Sequence, residues 1–219
     1  MKINATLQKL IVEFLGATLF LIALSASISH SLAMPELVLA ATLGLAILVT
    51  SGISGGHLNP VTSLFFYSRK ELSLKEFLLY VVAQIAGAFF GTFIGMQLWG
   101  KAIRPLTMGS TPDISVLLGE WVAAGGLVFL FAFLTATKRT NLIPVAVAVW
   151  VFSAASFTQS GAQANPAVSL ALSLNGQGIA TSAWMIIAQL VGLLSAILGL
   201  MVFTAKPAKA KASKKASKK

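Results

Sequence analysis

Two short stretches constrain this chain more than anything else in it. They are Gly55-Gly56-His57-Leu58-Asn59-Pro60-Val61 and Gly161-Ala162-Gln163-Ala164-Asn165-Pro166-Ala167. In each, small residues lead into Asn, then Pro, then a short apolar run. Asn is a strong helix N-cap, and Pro at the first helical position wastes no hydrogen bond. Each stretch therefore reads as a helix start. The helices that follow are too short to cross a membrane. From Pro60 the apolar run reaches Tyr67 before Arg69 and Lys70, and from Pro166 it reaches about Leu174 before Asn175 and Gly176. At about 1.5 Å per residue each is worth roughly 12–15 Å, half of a hydrocarbon core of ~30 Å. Two half-helices of this kind can meet near a midplane, with Asn59 and Asn165 face to face.

The rest of the chain supplies the membrane context. Of its 219 residues 57% are hydrophobic and only 10% charged, and the mean hydropathy is +0.87. That is the composition of a polytopic helical membrane protein, not of a soluble domain. The net charge of +10 suggests nucleic acid at first sight, but Lys206, Lys209, Lys211, Lys214, Lys215, Lys218 and Lys219 crowd into the last fourteen residues. A basic Ala/Lys/Ser tail beside a membrane helix reads as a disordered cytoplasmic segment touching anionic lipid, with no nucleic-acid partner. The absence of cysteine excludes disulfides and thiolate chemistry. The first apolar stretch is long and lacks an Ala-x-Ala site at its end, so it reads as a transmembrane helix and not as a cleaved signal peptide.

Six spans are expected, over roughly 10–29, 37–51, 77–98, 116–136, 142–157 and 183–204. The second dissolves into Gly52–Gly56 and feeds the first half-helix; the fifth dissolves into Thr158–Gly161 and feeds the second. The halves repeat. Glu13 and Glu120, Asn59 and Asn165, Gln84 and Gln189, and Gly87 and Gly192 all stand 105–107 residues apart. Three spans per half force the copies to insert with opposite orientation, and inverted repeats with broken helices place a site where the halves meet. The domain organisation is thus one transmembrane channel domain over 1–205, with repeats at about 7–99 and 114–204, and the tail over 206–219. Lys2, Lys9, Arg69, Lys70, Lys75, Lys138, Arg139 and the tail fall on one side, and only Lys101 and Arg104 on the other. The positive-inside rule puts both termini in the cytoplasm and the protein in a plasma or inner membrane.

The residues Ser54 to Val61, the triplet Asn165-Pro166-Ala167, one Glu in each of the first and fourth spans, and Ala-Gln-x-x-Gly in the third closely resemble the aquaporin family of major intrinsic proteins. The likeness runs from about Leu7 to Phe203. It implies an all-α membrane fold of six transmembrane helices plus two re-entrant half-helices, one pore per protomer and a homotetramer. Positive half-helix ends and the Asn59 and Asn165 amides would orient a passing water and exclude protons and cations. The loop backbones Gly55, Gly56, His57, Leu58, Gly161, Gln163 and Ala164 would line the path, their carbonyls forming an acceptor ladder. Glu13 and Glu120 suit a structural role, accepting hydrogen bonds from those irregular loops.

The pattern departs from the family at the constriction. Water-selective members usually carry Arg after the second Asn-Pro-Ala; here it is Val168. Counting back from the two motifs without gaps puts the other constriction positions at Leu39, Ser153 and Ala162. This set has no charge, no imidazole and no ring, so a wider and more apolar filter is expected. The first motif is Asn-Pro-Val, with Val61 where Ala is usual. The leading reading is a passive channel for water or small uncharged solutes such as glycerol, urea or ammonia. A proton-coupled secondary transporter using Glu13 or Glu120, and a non-conducting structural member of the fold, are the alternatives. No enzymatic triad, metal-ligand cluster or phosphate loop stands in the chain, so no catalytic activity, cofactor or metal is expected.

Overall fold

A computed structural model describes residues 4–30 and 33–205; the Lys-rich segment 206–219 lies outside them. Eight α-helices follow one another: α1 (Ala5–His30), α2 (Pro35–Ser54), α3 (Pro60–Ser68), α4 (Leu74–Gln97), α5 (Ile114–Ala136), α6 (Ile143–Phe157), α7 (Pro166–Ala171) and α8 (Ile179–Thr204). Six of them are long and apolar enough to cross a membrane, α6 with the single 3-10 turn that precedes it. The first span starts five residues earlier than the sequence predicts and the last four earlier. The second half-helix is α-helical only to Ala171, then tightens into a 3-10 turn over Leu172–Asn175 that ends on left-handed Gly176.

Local chemistry explains the helix ends. Asn59 and Asn165 cap α3 and α7, each accepting with its side-chain oxygen from the backbone N–H two residues on, at 2.9 Å, with Pro at the first helical position. Ser73 and Glu76 form a reciprocal capping box at the start of α4. Gly55, at φ 92°, stops α2 in the left-handed conformation.

Packing follows the repeat. α1 lies along α4, α5 lies along α8, and the halves meet along α2 and α6. The half-helices cross over: α7 seats against α4 as well as α8, and α3 touches α5 and α8. Glycines make the α1–α4 seam possible. Gly87, Gly91 and Gly95 recur every fourth residue on α4, each against the backbone of α1; a Cβ at Gly95 would stand 2.6 Å from the Ile22 carbonyl oxygen. Without a hydrophobic force between helices in lipid, close approach of this kind supplies the packing energy. Outward faces carry exposed Leu45, Leu48, Val49, Val82, Val145, Leu194 and Leu198, an apolar surface suited to lipid or to neighbouring protomers. The residues between α4 and α5 form no regular element, but they are tied down: Arg104 N–H donates to Leu174 O at 2.9 Å, and Ala180 N–H to Met108 O at 2.7 Å.

The seam generates a stability test. Gly95→Val drives a branched side chain into α1 and lowers the melting temperature in detergent, a cost on the order of 1–3 kcal/mol. Gly52→Ala, where nothing stands within 4 Å of the new Cβ, does not lower it. Scanning fluorimetry of the two purified variants checks both.

Candidate functional site

The site is built from two loops that repeat each other residue by residue. Gly55, Gly56 and Leu58 have φ of 92°, 63° and 49°; Gly161, Ala162 and Ala164 have 68°, 53° and 49°. Left-handed backbone is costly for Leu58, Ala162 and Ala164, so something must hold them there. Glu13 and Glu120 do. Glu13 Oε1 accepts from the His57 N–H (3.0 Å) and the Ser54 hydroxyl (2.6 Å), and Oε2 from the Leu58 N–H (2.7 Å) and Gln84 Nε2 (2.8 Å). Glu120 repeats the pattern on the Gln163 N–H (2.9 Å), the Ala164 N–H (2.8 Å) and Gln189 Nε2 (2.6 Å). Both carboxylates are fully buried. Gln84 also donates to Ser63, and Gln189 to Ser169, at 2.9 Å each. Those serines in turn bond His57 Nδ1 (3.1 Å) and Gln163 Oε1 (2.7 Å). His57 and Gln163 thus occupy equivalent places at the ends of two equivalent relays.

The two asparagines come together as the sequence predicts, and they also clasp each other's loops. Asn59 Nδ2 donates to the Ala164 carbonyl at 2.8 Å, and Asn165 Nδ2 to the Leu58 carbonyl at 2.9 Å. Each amide spends one hydrogen across the repeat axis and keeps its second. The carbonyls of Gly55, Gly56 and His57, and of Gly161, Ala162 and Gln163, accept no bond from another described residue.

Three cavities lie in series past these groups, each sharing lining residues with the next. A proximal one, at the end where α1 begins, has about 610 Å³; a distal one has about 200 Å³; the central one between them has only about 20 Å³. That central space is close to the room one water centre needs. His57 and Phe131 border both the proximal and the central space, whereas Phe20, Val151, Ala162 and Gln163 border both the central and the distal. Each long helix facing the lumen presents a stripe at a stride of four: Phe20, Leu24 and Ile28 on α1, Leu39, Leu43, Ile47 and Ser51 on α2, Leu127, Phe131 and Thr135 on α5, and Ile143, Val147, Val151 and Ala155 on α6. One wall is therefore apolar and the other is backbone, amide and imidazole.

Of the four constriction positions counted from the motifs, Leu39, Ala162 and Val168 border the distal cavity. Ser153 does not. Its half-buried hydroxyl turns back on the Val149 carbonyl at 2.9 Å, and α6 offers Val151 and Ala155 instead. Val61 and Ala167, each after its Asn-Pro pair, are fully buried and border none of the three cavities. Glu13 and Glu120 likewise border none of them. The stripe residues Phe20, Leu43, Leu127, Phe131 and Val151 were not legible beforehand, since their helices are apolar on every face and no polarity marks the inner one.

The family model "Major intrinsic protein" matches residues 1–119. An aquaglyceroporin, AqpS, of Rhizobium meliloti (strain 1021) is 31% identical over 206 residues, covering 91% of this chain and 87% of its own. A probable aquaporin, PIP2-7, of Oryza sativa subsp. japonica is 34% identical over 145 residues, covering 59% of this chain and 50% of its own. Among solved structures, the aquaglyceroporin of Plasmodium falciparum superposes with a TM-score of 0.69 at 19% identity, over 90% of this chain and 95% of that one.

The relays predict the effect of removing a carboxylate. Glu120→Gln offers one acceptor where three donors converge, and each buried donor left unmatched costs about 1–3 kcal/mol. Thermal unfolding in detergent is expected to show a marked loss of stability, and Glu13→Gln the same. Unchanged stability in both variants would argue that the carboxylates do not hold the loops.

Proposed function

The chain belongs to the major intrinsic protein family, and from that premise we propose that the lumen between its halves is a passive pore for water and small uncharged solutes such as glycerol, urea or ammonia. The observation that carries this reading is the reciprocal asparagine clasp, set where the lumen is narrowest. Each amide retains one hydrogen for a passing molecule. A water accepting from both is turned away from relaying a proton, and a cation meets the positive end of α3 together with two donor groups. The unpartnered carbonyls of Gly55–His57 and Gly161–Gln163 provide acceptors for what passes.

The distal ring sets the character of the filter. Leu39, Ala162 and Val168, with Val151 and Ala155, bring no charge and no donor side chain to it. An arginine there would supply a fixed charge and several donors; its absence favours small neutral solutes over strict water selection. Similarity to an aquaglyceroporin over most of both chains supports the same choice. The proximal mouth faces the cytoplasm, because Lys and Arg crowd the side on which α1 begins. The tail over 206–219 meets anionic headgroups, and four protomers associate through the apolar outward faces in a plasma or inner membrane.

A proton-coupled transporter is the weaker reading, since Glu13 and Glu120 are spent on backbone and amide donors and neither borders the lumen. Stopped-flow light scattering on proteoliposomes tests the pore. Water and glycerol or urea are expected to cross faster than in empty liposomes, and Val168→Arg is expected to suppress the solutes more than water. No flux above empty liposomes for any of the three would remove the water and polyol readings.

A further inference from the structure

The largest and the smallest of the three cavities share one pair of side chains. His57 and Phe131 alone border both the proximal cavity of about 610 Å³ and the central one of about 20 Å³. We propose that this neck, and not the distal ring, sets the upper size limit on what passes, by admitting slender neutral molecules that exchange a hydrogen bond with the His57 ring and rejecting broader ones. The proposal rests on the pore reading above and assigns its size selection.

Three observations carry it. First, the neck is rigid. The His57 ring stacks on Phe66 (4.5 Å between centroids, 16° between planes), meets Tyr80 edge-on at 5.4 Å and is fixed through Nδ1 to Ser63. Phe66 in turn meets Phe131 edge-on at 6.5 Å, and Tyr80 is anchored by donating to the Ser54 carbonyl at 2.9 Å. A side chain braced on several sides cannot swing aside for a wide solute. Second, the neck has a single polar handle. Ser169 donates to Gln163 Oε1 in the other repeat. With Ser63 donating to Nδ1 in the same way, the neutral ring keeps its proton on Nε2, which has no partner among the described residues. Third, the distal cavity is about ten times larger than the central one, about 200 Å³ against about 20 Å³, and has Glu36, Ser160 and Gln163 as polar partners within its aliphatic lining, so it is the less demanding of the two passages. Pore diameter and the donors lining it are what select in a channel of this kind.

The experiment is a solute series of urea, glycerol and the four-carbon polyol erythritol against water, by stopped-flow light scattering on proteoliposomes of the full chain. Phe131→Ala is expected to raise erythritol and glycerol flux several-fold relative to water. Phe131→Leu, which keeps the core filled, is expected to give a smaller change in the same direction. Val168→Ala is expected to leave the order of solutes as it is in the wild type. Wild-type water flux with the solute order unchanged in both Phe131 variants, or an order that shifts with Val168→Ala instead, overturns the neck and leaves the pore standing. Water flux no faster than in empty liposomes for the wild type and both Phe131 variants overturns the pore reading itself, and the neck with it.

Discussion

At membrane depth a backbone N–H has no water to bond, so every irregular turn of chain must find its partner within the protein. Two loops here break that rule locally and are rescued by one carboxylate each. Glu13 takes the N–H groups of His57 and Leu58, and Glu120 those of Gln163 and Ala164. Much of the architecture serves this arrangement. α4 and α8 must lie close to α1 and α5 so that Gln84 and Gln189 can reach the same carboxylates, and the glycine seam of Gly87, Gly91 and Gly95 lets α4 approach. With N–H groups turned to the glutamates, the left-handed loops keep carbonyls free of protein partners. A structural necessity and a permeation path are thus two faces of one strip of backbone.

The opposite wall of the lumen follows from the same economy of polar groups. Four long helices contribute stripes at a stride of four that are aliphatic and aromatic around the central cavity, so a permeant there has hydrogen-bonding partners on one side only. Such a molecule gives up part of its hydration and slides along a surface that holds it weakly. That combination is what conduction requires, since binding must be favourable enough to enter and weak enough to leave. The asparagine clasp adds rigidity at the narrowest point, because each amide ties the other repeat's loop in place while keeping one hydrogen to offer.

Much of this was legible in the sequence, and for identifiable reasons. Asn-Pro reads as a capped helix start wherever it falls, and a half-length apolar run after it leaves few alternatives in a membrane. The near-equal lags of Glu13 and Glu120 and of Gln84 and Gln189 marked equivalent positions in two repeats, but spacing alone did not show that each glutamine bonds its glutamate. The lumen-facing stripes were not legible, because periodicity needs contrast and α5 or α6 offers none: Phe131 and its outward neighbours are equally apolar. Ser153 shows a different limit. The face a helix turns inward cannot be counted from a motif beyond an intervening loop, and α6 turns Val151 and Ala155, not Ser153, to the distal cavity.

The two repeats differ most where their symmetry is otherwise closest. Gln163 bonds Ser169 and Gln177 through its amide, whereas the equivalent His57 sits in an aromatic stack with one ring nitrogen unpartnered among the described residues. On the proposed pore reading the path therefore changes character along its length, from an aromatic neck with an imidazole handle to a distal cavity lined by aliphatic residues together with Glu36, Ser160 and Gln163. A passive pore gains no preferred direction from this, because equilibrium flux depends on the gradient alone. What the asymmetry alters is the profile of barriers: the highest one stands wherever a solute is stripped of most partners in the least space. On the proposed pore reading, the contrast between about 20 Å³ at the centre and the larger cavities on either side is the reason to put that step beside the asparagines and their proximal neighbour His57.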